Sequence, residues 1–416
     1  MTEQCDILIK NARIRGYPSD KMFNIAVSGD KIIYIGETIP CRASIEIDAR
    51  GNLVTESLAN PHIHLCKVYT LDFVGDEALK RYQSNMMEDS LLAIEIASRV
   101  KERYREDWIY RNARRAIAEM IRYGVLHVRA FADTDSKARL EAVKALLKLR
   151  EELRGIVDLQ VVAFPQEGLV RDEMAYEYVA KALEMGADVV GGIPWIEFEE
   201  DVEEHIERAF TLAKSFNRDI AMLTDDAGDP GLRTTAKLAR ATIRNQWFGR
   251  VSAYHARALA LYPKPYLHKV IELSKLAGIS YVIAPHTGPL YAPYRSMLAS
   301  GINVALGQDD IEDAYYPYGR GNMLEIAFLA SHITRSMGMS DIEILMDMIT
   351  WRAKAAMNLG RCGLNVGCEA LIVVHRAKNT REAISRHDAP LYVIRGSKIV
   401  AENEEISRLY IKGWTS

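Results

Sequence analysis

The stretch "LVTESLANPHIHL" at residues 53–65 is the key to the fold, because it is the first of eight apolar runs, most of which have polar side chains at their ends. The other seven runs are "VLHVRAFADTD" (125–135), "VDLQVVAFPQE" (157–167), "DVVGGIPW" (188–195), "DIAMLTDD" (219–226), "RVSAYHAR" (250–257), "ISYVIAPHTG" (279–288) and "INVALGQDD" (302–310). Nearly continuous apolar character is typical of strands that are buried on both faces of a parallel sheet.

Amphipathic stretches lie between these runs, for example "SKARLEAVKALLKLREELRG" (136–155) and "DVEEHIERAFTLAKSFN" (201–217). Strands that alternate with helices favour a parallel α/β sheet. Eight such units predict a closed (β/α)8 barrel, the TIM-barrel fold, at residues 58–365.

Both ends of the chain have a different pattern. Short alternating runs occur in "DILIKNARI" (6–14), "FNIAVSGDKIIYIGE" (23–37) and "PLYVIRGSKIVAENEEI" (390–406), with hairpin signals at Gly29-Asp30 and Gly396-Ser397. We therefore expect residues 1–57 and 366–416 to form one small composite β-sandwich domain.

Composition narrows the function class. The chain has 416 residues and a net charge of −3, so it lacks the basic excess of a nucleic-acid-binding protein. No apolar run reaches the roughly 18 residues of a membrane span, and "MTEQCDILIK" does not resemble a signal peptide. The five cysteines are scattered, which favours reduced thiols and a cytoplasmic location.

Titratable residues follow most of the predicted strands. Barrel enzymes place their chemistry at the carboxyl ends of the strands, so these side chains should share one site. His62 and His64 are two apart and face the same way on a strand, as a pair of metal ligands would. The other candidates are Asp133, Asp135, Gln166, Glu167, Asp225, Asp226, His255, His286, Asp309 and Asp310. A single histidine at a strand end is more often structural, but the convergence of so many groups favours a site.

This constellation of strand-1 HxH, strand-6 histidine and strand-8 aspartate resembles the amidohydrolase superfamily. The segments "VDLQVVAFPQEG", "ADVVGGIPWIEF", "GINVALGQDDIEDAYYPYGRGNML" and "VIRGSKIV" are similar to the cytosine deaminase-like group and its relatives that hydrolyse N-substituted triazines. The likeness runs nearly end to end. It implies a barrel enzyme that acts on a small heterocycle in a homo-oligomer, and the charge and hydropathy of the chain predict no nucleic-acid or membrane partner.

The resemblance also implies one divalent metal ion, zinc or iron, bound by His62, His64 and Asp309. In the family a strand-5 histidine completes the site, but the matching position here is Leu223. The family's proton-shuttling glutamate corresponds to Asp226, which keeps the carboxylate on a shorter side chain.

The remaining site residues have roles that the chemistry suggests. Asp309 is expected to take a proton from water, and His255 either polarises that water or joins the metal ligands. Gln166 offers donors and an acceptor to a ring's amide edge, and Trp195 and Tyr315, with Phe131, would form its walls. Three alternatives stay open: Asp226 caps the next helix, His286 replaces the missing ligand, or Cys66 is a ligand and not a buried thiol.

The sequence therefore predicts a metal-dependent hydrolase that cleaves a non-peptide C–N bond of an amino-substituted heterocycle such as cytosine or an aminotriazine. The reaction would be deamination or dealkylamination. Leu223 supports a different reading, a pseudoenzyme or small-molecule-binding protein that kept only the fold. A third reading is an enzyme of the same superfamily that uses His255 as a metal ligand on another substrate.

Overall fold

The computed structural model describes residues 3–82, 87–198 and 201–404, so the last two residues of the predicted C-terminal run lie outside the described residues. The chain divides into two compact units. The first comprises the described residues within Met1–Glu56, Ile121–Gly124 and Leu364–Ser416, and the second comprises those within Ser57–Met120 and Val125–Gly363.

Sixteen strands occur in the described part of the chain. Five lie near the N-terminus: β1 (Glu3–Ile14), β2 (Phe23–Ser28), β3 (Lys31–Gly36), β4 (Cys41–Asp48) and β5 (Leu53–Glu56). Eight follow in the second unit: β6 (Leu58–Ile63), β7 (Val125–Asp133), β8 (Asp158–Phe164), β9 (Val189–Gly192), β10 (Asp219–Thr224), β11 (Val251–His255), β12 (Ser280–Ile283) and β13 (Val304–Leu306). The last three are β14 (Leu371–Val374), β15 (Tyr392–Arg395) and β16 (Lys398–Glu402).

The terminal strands form one branched sheet. Its order is β16-β15-β14-β5-β1-β2-β3, and β4 also pairs with β1. Alternate residues such as Ile7, Ile9 and Ile25 are buried in its core together with Ile372 and Ile394 from the other end of the chain. The predicted small β domain built from both termini is therefore confirmed. The run at residues 53–65 divides between the two units, because β5 joins this terminal sheet.

The eight strands of the second unit lie in chain order, and each pairs with the next in parallel. Closure occurs beside the first strand, where Asp309 N donates to His62 O at 2.8 Å and His64 N donates to Asp309 O at 2.9 Å. The predicted (β/α)8 barrel is confirmed, and each predicted run contains one of its strands. Closure also brings three of the candidate site residues together at one point.

The helices lie mainly between the barrel strands. They are α1 (Leu71–Val74), α2 (Glu77–Tyr82), α3 (Met87–Ser98), α4 (Glu106–Arg122), α5 (Glu141–Glu152), α6 (Ala175–Glu184), α7 (Val202–Phe216), α8 (Thr234–Arg244), α9 (Lys264–Ala277), α10 (Tyr294–Ala299), α11 (Met323–Ile333), α12 (Met339–Met348), α13 (Trp351–Ala356) and α14 (Thr380–Arg386). In α7, buried Val202, Ile206, Ala209 and Ala213 recur at helical spacing, which explains why this stretch forms a helix. Within the described ranges, none of the helices has the length and apolar character that crossing a membrane requires.

The expectation of reduced cysteines is wrong. Cys5 and Cys41 form a disulfide with a Cα–Cα distance of 6.1 Å, and Cys362 and Cys368 are also disulfide-bonded. Cys66 is a free, buried thiol. The spacing of 36 residues between Cys5 and Cys41 gave no sign of pairing, because only the parallel register of β1 and β4 brings the two side chains together.

Candidate active site

A pocket opens where the barrel strands end, and the space between its walls, open solvent included, is about 460 Å³. Its lining includes most of the residues singled out from the sequence: His64, Gln166, Trp195, Leu223, Asp226, His255, Asp309, Asp310 and Tyr315. It also includes Lys67, Ser90, Ile94, Ile193 and Arg257, which the sequence analysis did not name.

Three side chains offer possible metal ligands at one point. The ligand atoms of His62, His255 and Asp309 all lie within 4.8 Å of one another. Asp309 Oδ1 is 2.6 Å from His62 Nε2, and Asp309 Oδ2 is 3.7 Å from His255 Nε2. His64 presents its Nε2 to the same carboxylate, 3.4 Å from Oδ1. Asp309 is therefore the common partner of the three histidines.

The charges in this cluster suit metal binding. Burial lowers the pKa of His62, and burial together with the nearby Lys67 ammonium lowers the pKa of His64 well below its usual value. For Asp309, burial acts to raise the pKa, but the surrounding histidines outweigh it and hold the pKa well below the ordinary value. These directions favour neutral imidazoles at His62 and His64 and an ionised carboxylate at Asp309, which are the protonation states that a metal requires of such ligands.

The backbone at these positions is unusual. Asp225, His255 and Asp309 have φ angles of 46°, 62° and 69°, in the left-handed region that side chains other than glycine seldom adopt. Such conformations cost of order 1–3 kcal/mol each and concentrate at functional sites. They lie at or just after the ends of β10, β11 and β13, and two of them, His255 and Asp309, belong to the candidate metal cluster.

Asp225 and Asp226 end the same strand but have different surroundings. The Asp225 carboxylate accepts hydrogen bonds from the backbone N–H of Thr234 at 2.7 Å and of Thr235 at 3.2 Å, at the beginning of α8. It also accepts one from the Tyr262 hydroxyl at 2.9 Å. Asp225, and not Asp226, therefore holds the start of the next helix.

Asp226 faces the pocket instead. Its Oδ1 lies 3.5 Å from His255 Nδ1 and 3.3 Å from Arg257 Nε. The Arg257 guanidinium also donates to the backbone carbonyl of Asp226. These contacts place a carboxylate between a histidine of the candidate metal cluster and a fixed positive charge.

Leu223, which the family resemblance matches to a metal-binding histidine, lines the pocket. In the barrel, Leu223 pairs with Tyr254, and Thr224 pairs with His255, so His255 lies on the neighbouring strand one position further along. Leu223 packs with Phe131, Trp195 and Tyr254 in the barrel core. The leucine therefore provides an apolar wall, and His255 is the histidine that approaches the cluster from this side.

Lys67 is one of the pocket residues that were not singled out from the sequence. The Lys67 side chain is 4% exposed, and Nζ lies 3.1 Å from Asp133 Oδ1. The ammonium donates to Gln166 Oε1 and lies 3.4 Å from His64 Nδ1. The sequence did contain a signal for this residue, because a lysine three positions after the HxH segment stands out in a largely apolar stretch. Gln166 Nε2 in turn donates to the Tyr315 hydroxyl at 3.0 Å.

Other predicted strand-end residues support the site without lining the pocket. Asp135 and Glu167 bind the buried ammonium of Lys101 at 2.5 and 2.8 Å. Phe131 lies against the rings of His62 and His64, with centroid distances of 4.4 and 5.3 Å. It is therefore packing behind the histidines and does not line the pocket.

Two of the alternative metal ligands are also located. Burial and the nearby Asp133 raise the pKa of the Cys66 thiol to about 12, which keeps it protonated, and Asp133 N donates to its sulfur at 3.5 Å. Cys66 therefore behaves as a buried thiol. His286 Nε2 lies 3.3 Å from Asp310 Oδ2 and 3.8 Å from Asp309 Oδ2, so it forms a second candidate group around the same carboxylate.

The donor set fits a divalent cation. Both ring nitrogens of His62 are buried, and neither makes a hydrogen bond of normal geometry with the described residues, although Asp309 Oδ1 is 2.6 Å from Nε2. Neutral imidazole nitrogens and a carboxylate oxygen suit zinc and iron alike. Buried polar atoms that converge without hydrogen-bonding each other are expected of ligands that share an ion.

An eight-stranded barrel with histidines on its first strand and an aspartate after its last defines a class of metal-dependent hydrolases. The amidohydrolase family model matches residues 91–403. The chain is 31% identical to N-isopropylammelide isopropyl amidohydrolase of Pseudomonas sp. (strain ADP), over 98% of this chain and 100% of the relative. It belongs to the amidohydrolase family, whose members are hydrolytic enzymes that depend on a metal.

Solved structures give the same result. A 5-methylcytosine deaminase from Klebsiella pneumoniae, liganded with 5-fluorocytosine, superposes with a TM-score of 0.87 at 28% identity, covering 97% of this chain and 99% of that one. N-isopropylammelide isopropylaminohydrolase from Burkholderia multivorans has a TM-score of 0.83 at 23% identity, covering 96% and 99%. The second likeness supports the fold alone. The predicted resemblance is confirmed, and the chain is an enzyme of this hydrolase family.

Proposed function

We propose that this enzyme hydrolyses a non-peptide C–N bond of an amino-substituted heterocycle, by deamination or dealkylamination. The observation that carries the proposal is the pocket that Asp226 lines together with His255 and Asp309, two members of the candidate metal cluster. The curated and solved relatives include a deaminase and amidohydrolases named for heterocyclic substrates. The pseudoenzyme alternative has no support from these relatives.

We propose that His62, His255 and Asp309 hold one divalent ion, zinc or iron, with His64 beside them. In this arrangement His255 supplies the nitrogen ligand that the family's strand-5 histidine provides, because the position that matches that histidine is Leu223. A bound divalent ion supplies nucleophilic water at neutral pH, because it lowers the pKa of that water toward about 7. The set thus keeps His62 and Asp309 from the predicted ligands, adds His255, and leaves His64 next to the ion.

The protein groups then handle the protons and the ring. Asp309 Oδ2 faces His255 and is the carboxylate oxygen available to accept a proton from water. Asp226 carries one proton from the attacking water to a ring nitrogen as the attacked carbon becomes tetrahedral, and Asp309 passes the second water proton to the departing amine. Arg257, 3.3 Å from Asp226 Oδ1, fixes the direction of that carboxylate.

The substrate is proposed to lie among Gln166, Trp195 and Tyr315. All three line the pocket, and the two aromatic side chains provide flat apolar surfaces for a planar ring. A homo-oligomer and a cytoplasmic location remain predictions. The disulfide between Cys5 and Cys41 bears on the second, since disulfides persist more readily in oxidising compartments.

The test is release of ammonia or alkylamine from a panel of cytosine, isocytosine and N-alkylated aminotriazines by purified enzyme loaded with zinc or iron. We expect turnover of at least one ring, and no turnover by Asp309→Asn loaded in the same way. No release from any ring by a metal-loaded, folded enzyme would contradict the proposed reaction.

A further inference from the structure

We propose that Tyr254, held in place by Arg129, is the positioning residue that directs the His62 imidazole toward the candidate metal site. The inference deepens the proposed function and rests on it, because His62 is one of the proposed metal ligands. Neither Tyr254 nor Arg129 is among the described residues that line the pocket. The two residues therefore act on a metal ligand and not on the substrate.

The His62 ring lacks the hydrogen bond that usually orients a metal ligand. Metal-binding histidines almost always donate their second ring N–H to a carboxylate, a backbone carbonyl or water. In His62, Nε2 lies 2.6 Å from Asp309 Oδ1, whereas Nδ1 is buried and has no hydrogen-bond partner among the described residues. The direction of this imidazole is therefore set by the groups packed against the ring and by the backbone that carries it.

The backbone at His62 lies in an irregular part of the strand pairing. Asn60 and Ile63 are three positions apart on β6, but their partners on β7 are only two positions apart, so the register shifts between them. A bulge of this kind disrupts the ladder and bends the strand, and bulges next to active sites re-aim side chains. Pro61 and His62 are the residues inside the irregularity, so the β6–β7 ladder does not fix them.

Tyr254 contacts both the ring and this backbone. It is fully buried on β11, and its ring centroid is 4.7 Å from that of His62. Its hydroxyl donates to the backbone carbonyl of Pro61 at 3.2 Å, immediately before His62 in the chain. The Phe131 ring, 4.9 Å from that of Tyr254 and 4.4 Å from that of His62, completes the packing. One side chain thus holds the irregular backbone segment and the imidazole together.

Arg129 on β7 fixes the Tyr254 hydroxyl. A guanidinium can only donate and a carbonyl can only accept. The hydroxyl oxygen therefore accepts from Arg129 Nη1 at 3.1 Å, and its single hydrogen is donated to Pro61. Arg129 is itself held by two further bonds, from Nε to Gln160 Oε1 at 2.8 Å and from Nη1 to the Ala356 carbonyl at 3.0 Å. The hydrogen bonds from Arg129 through Tyr254 to Pro61 consequently run in one direction.

The charge of Arg129 is unusual for a barrel interior. Arg129 is 1% exposed, and all the acceptors that the described residues offer it are neutral, since Nη1 also donates to the Ser252 hydroxyl at 3.1 Å. Nη2 is buried without a partner among the described residues. A buried charge without a counter-charge is costly, whereas hydrogen bonds from a charged donor are about twice as strong as neutral ones. Stability alone does not explain this arginine, and a strong hold on Tyr254 does.

Tyr281 provides a matched control. It is also a fully buried tyrosine on a barrel strand, β12, and its hydroxyl lies 2.6 Å from the Ser274 hydroxyl. Among the described residues, the rings that contact His62 do not include Tyr281. Tyr281→Phe and Tyr254→Phe each remove one buried hydroxyl and keep the ring. Both should lower stability, but only Tyr254→Phe should change metal binding.

The experiment measures the affinity of the metal-free, full-length enzyme for Zn²⁺ by competition with a chromogenic chelator, and the visible spectrum of the Co²⁺-loaded protein. We expect Tyr254→Phe to weaken Zn²⁺ binding by about 10- to 100-fold, the usual loss when a residue that orients a ligand is removed, and to change the Co²⁺ spectrum. Tyr281→Phe should match wild type in both measurements. Thermal melts of the metal-free proteins show that each is folded, since lower stability of a folded protein does not by itself change its metal affinity.

Arg129→Met tests the other half of the inference. If Arg129 acts through the Tyr254 hydroxyl, the double variant with Tyr254→Phe should bind Zn²⁺ about as weakly as Tyr254→Phe alone. Additive losses would overturn the role of Arg129. Arg129→Lys takes the place of Arg129→Met in this comparison if the latter does not fold, because lysine keeps the charge and lacks the planar fork of donors.

Unchanged Zn²⁺ affinity in Tyr254→Phe, or an equal loss in Tyr281→Phe, would overturn the inference and leave the proposed metal site intact. Failure of the proposed site is seen separately. If wild type binds no Zn²⁺, or if His62→Asn binds it as tightly as wild type, His62 is not a ligand, and both the proposed ligand set and this inference are wrong.

Discussion

Asp225 and Asp226 are adjacent at the end of one barrel strand, yet their side chains have different partners and different roles. Asp225 accepts hydrogen bonds from the backbone of Thr234 and Thr235, whereas Asp226 lies 3.5 Å from His255 in the pocket. The first aspartate anchors a helix, and the second faces the candidate metal cluster. This separation of roles makes the pair a direct test of the proposed mechanism.

Asp226→Asn should reduce kcat by about 10²- to 10⁴-fold, the usual loss for a general acid–base group, with no large change in thermal stability. Asp225→Asn is its matched control and should lower the free energy of unfolding by about 1–3 kcal/mol, because buried hydrogen bonds are lost. Steady-state kinetics and thermal melts check both. An Asp226→Asn enzyme with wild-type turnover would show that the Asp226 carboxylate does not transfer a proton in the reaction.

The proposed ligands predict the metal content. Wild type should contain one divalent ion per chain after dialysis, and His255→Asn and Asp309→Asn should each lose it, because each removes a member of the cluster. His286→Asn is the matched control and should keep the ion. Elemental analysis measures this. If His255→Asn keeps the ion and His286→Asn loses it, the metal site is the second group around Asp309, the one that contains His286.

Leu223→His should tighten metal binding and raise kcat/KM for at least one amino heterocycle. Position 223 lines the pocket, and an imidazole adds a neutral nitrogen donor. The gain in metal affinity is smaller if no neighbouring residue hydrogen-bonds to the new imidazole, because the lack of such a partner costs about 10- to 100-fold in metal affinity. Leu223→Met should change neither quantity. If metal affinity and activity both stay at the wild-type level, His255 has fully replaced the missing ligand.

The Cys5–Cys41 bond should stabilise the terminal sheet. It closes a loop with a sequence separation of 36, for which chain entropy gives a contribution of about 4 kcal/mol. Cys5→Ala, Cys41→Ala and the double variant should therefore destabilise the protein by similar amounts in urea unfolding, since each breaks the same bond. Additive losses in the double variant would mean that the two cysteines are not bonded.

His375 should make stability depend on pH. Burial lowers its pKa to about 4, whereas the unfolded residue titrates near about 6.5. The unfolded state therefore binds more protons between these values, so the free energy of unfolding falls as the pH drops from about 6.5 to about 4. One group shifted this far contributes about 3 kcal/mol.

The variant His375→Gln keeps a side chain that can hydrogen-bond to Thr55 Oγ1, which lies 2.8 Å from His375 Nε2. It should lose this part of the pH dependence. Urea unfolding of both proteins at pH 7 and pH 4.5 measures the difference. The same loss of stability on acidification in wild type and variant would assign the effect to other groups.

The barrel was predictable because its signal is local. Strands buried on both faces must be apolar along their length, and each of the eight runs contains one barrel strand. The candidate residues His62, His64, His255 and Asp309 were also predictable, since parallel strands of a barrel direct their carboxyl ends to one side. The family pattern then assigned roles to them.

The fold, the family and the side of the barrel that carries the chemistry could therefore be predicted from periodicity and order along the chain. Three features required the folded coordinates: which of two adjacent aspartates faces the pocket, the contact between Lys67 and the Gln166 amide, and the bond between Cys5 and Cys41. These features depend on distances between side chains from different strands and on the burial that directs each charge to its partner, and neither is a property of neighbouring residues in the chain.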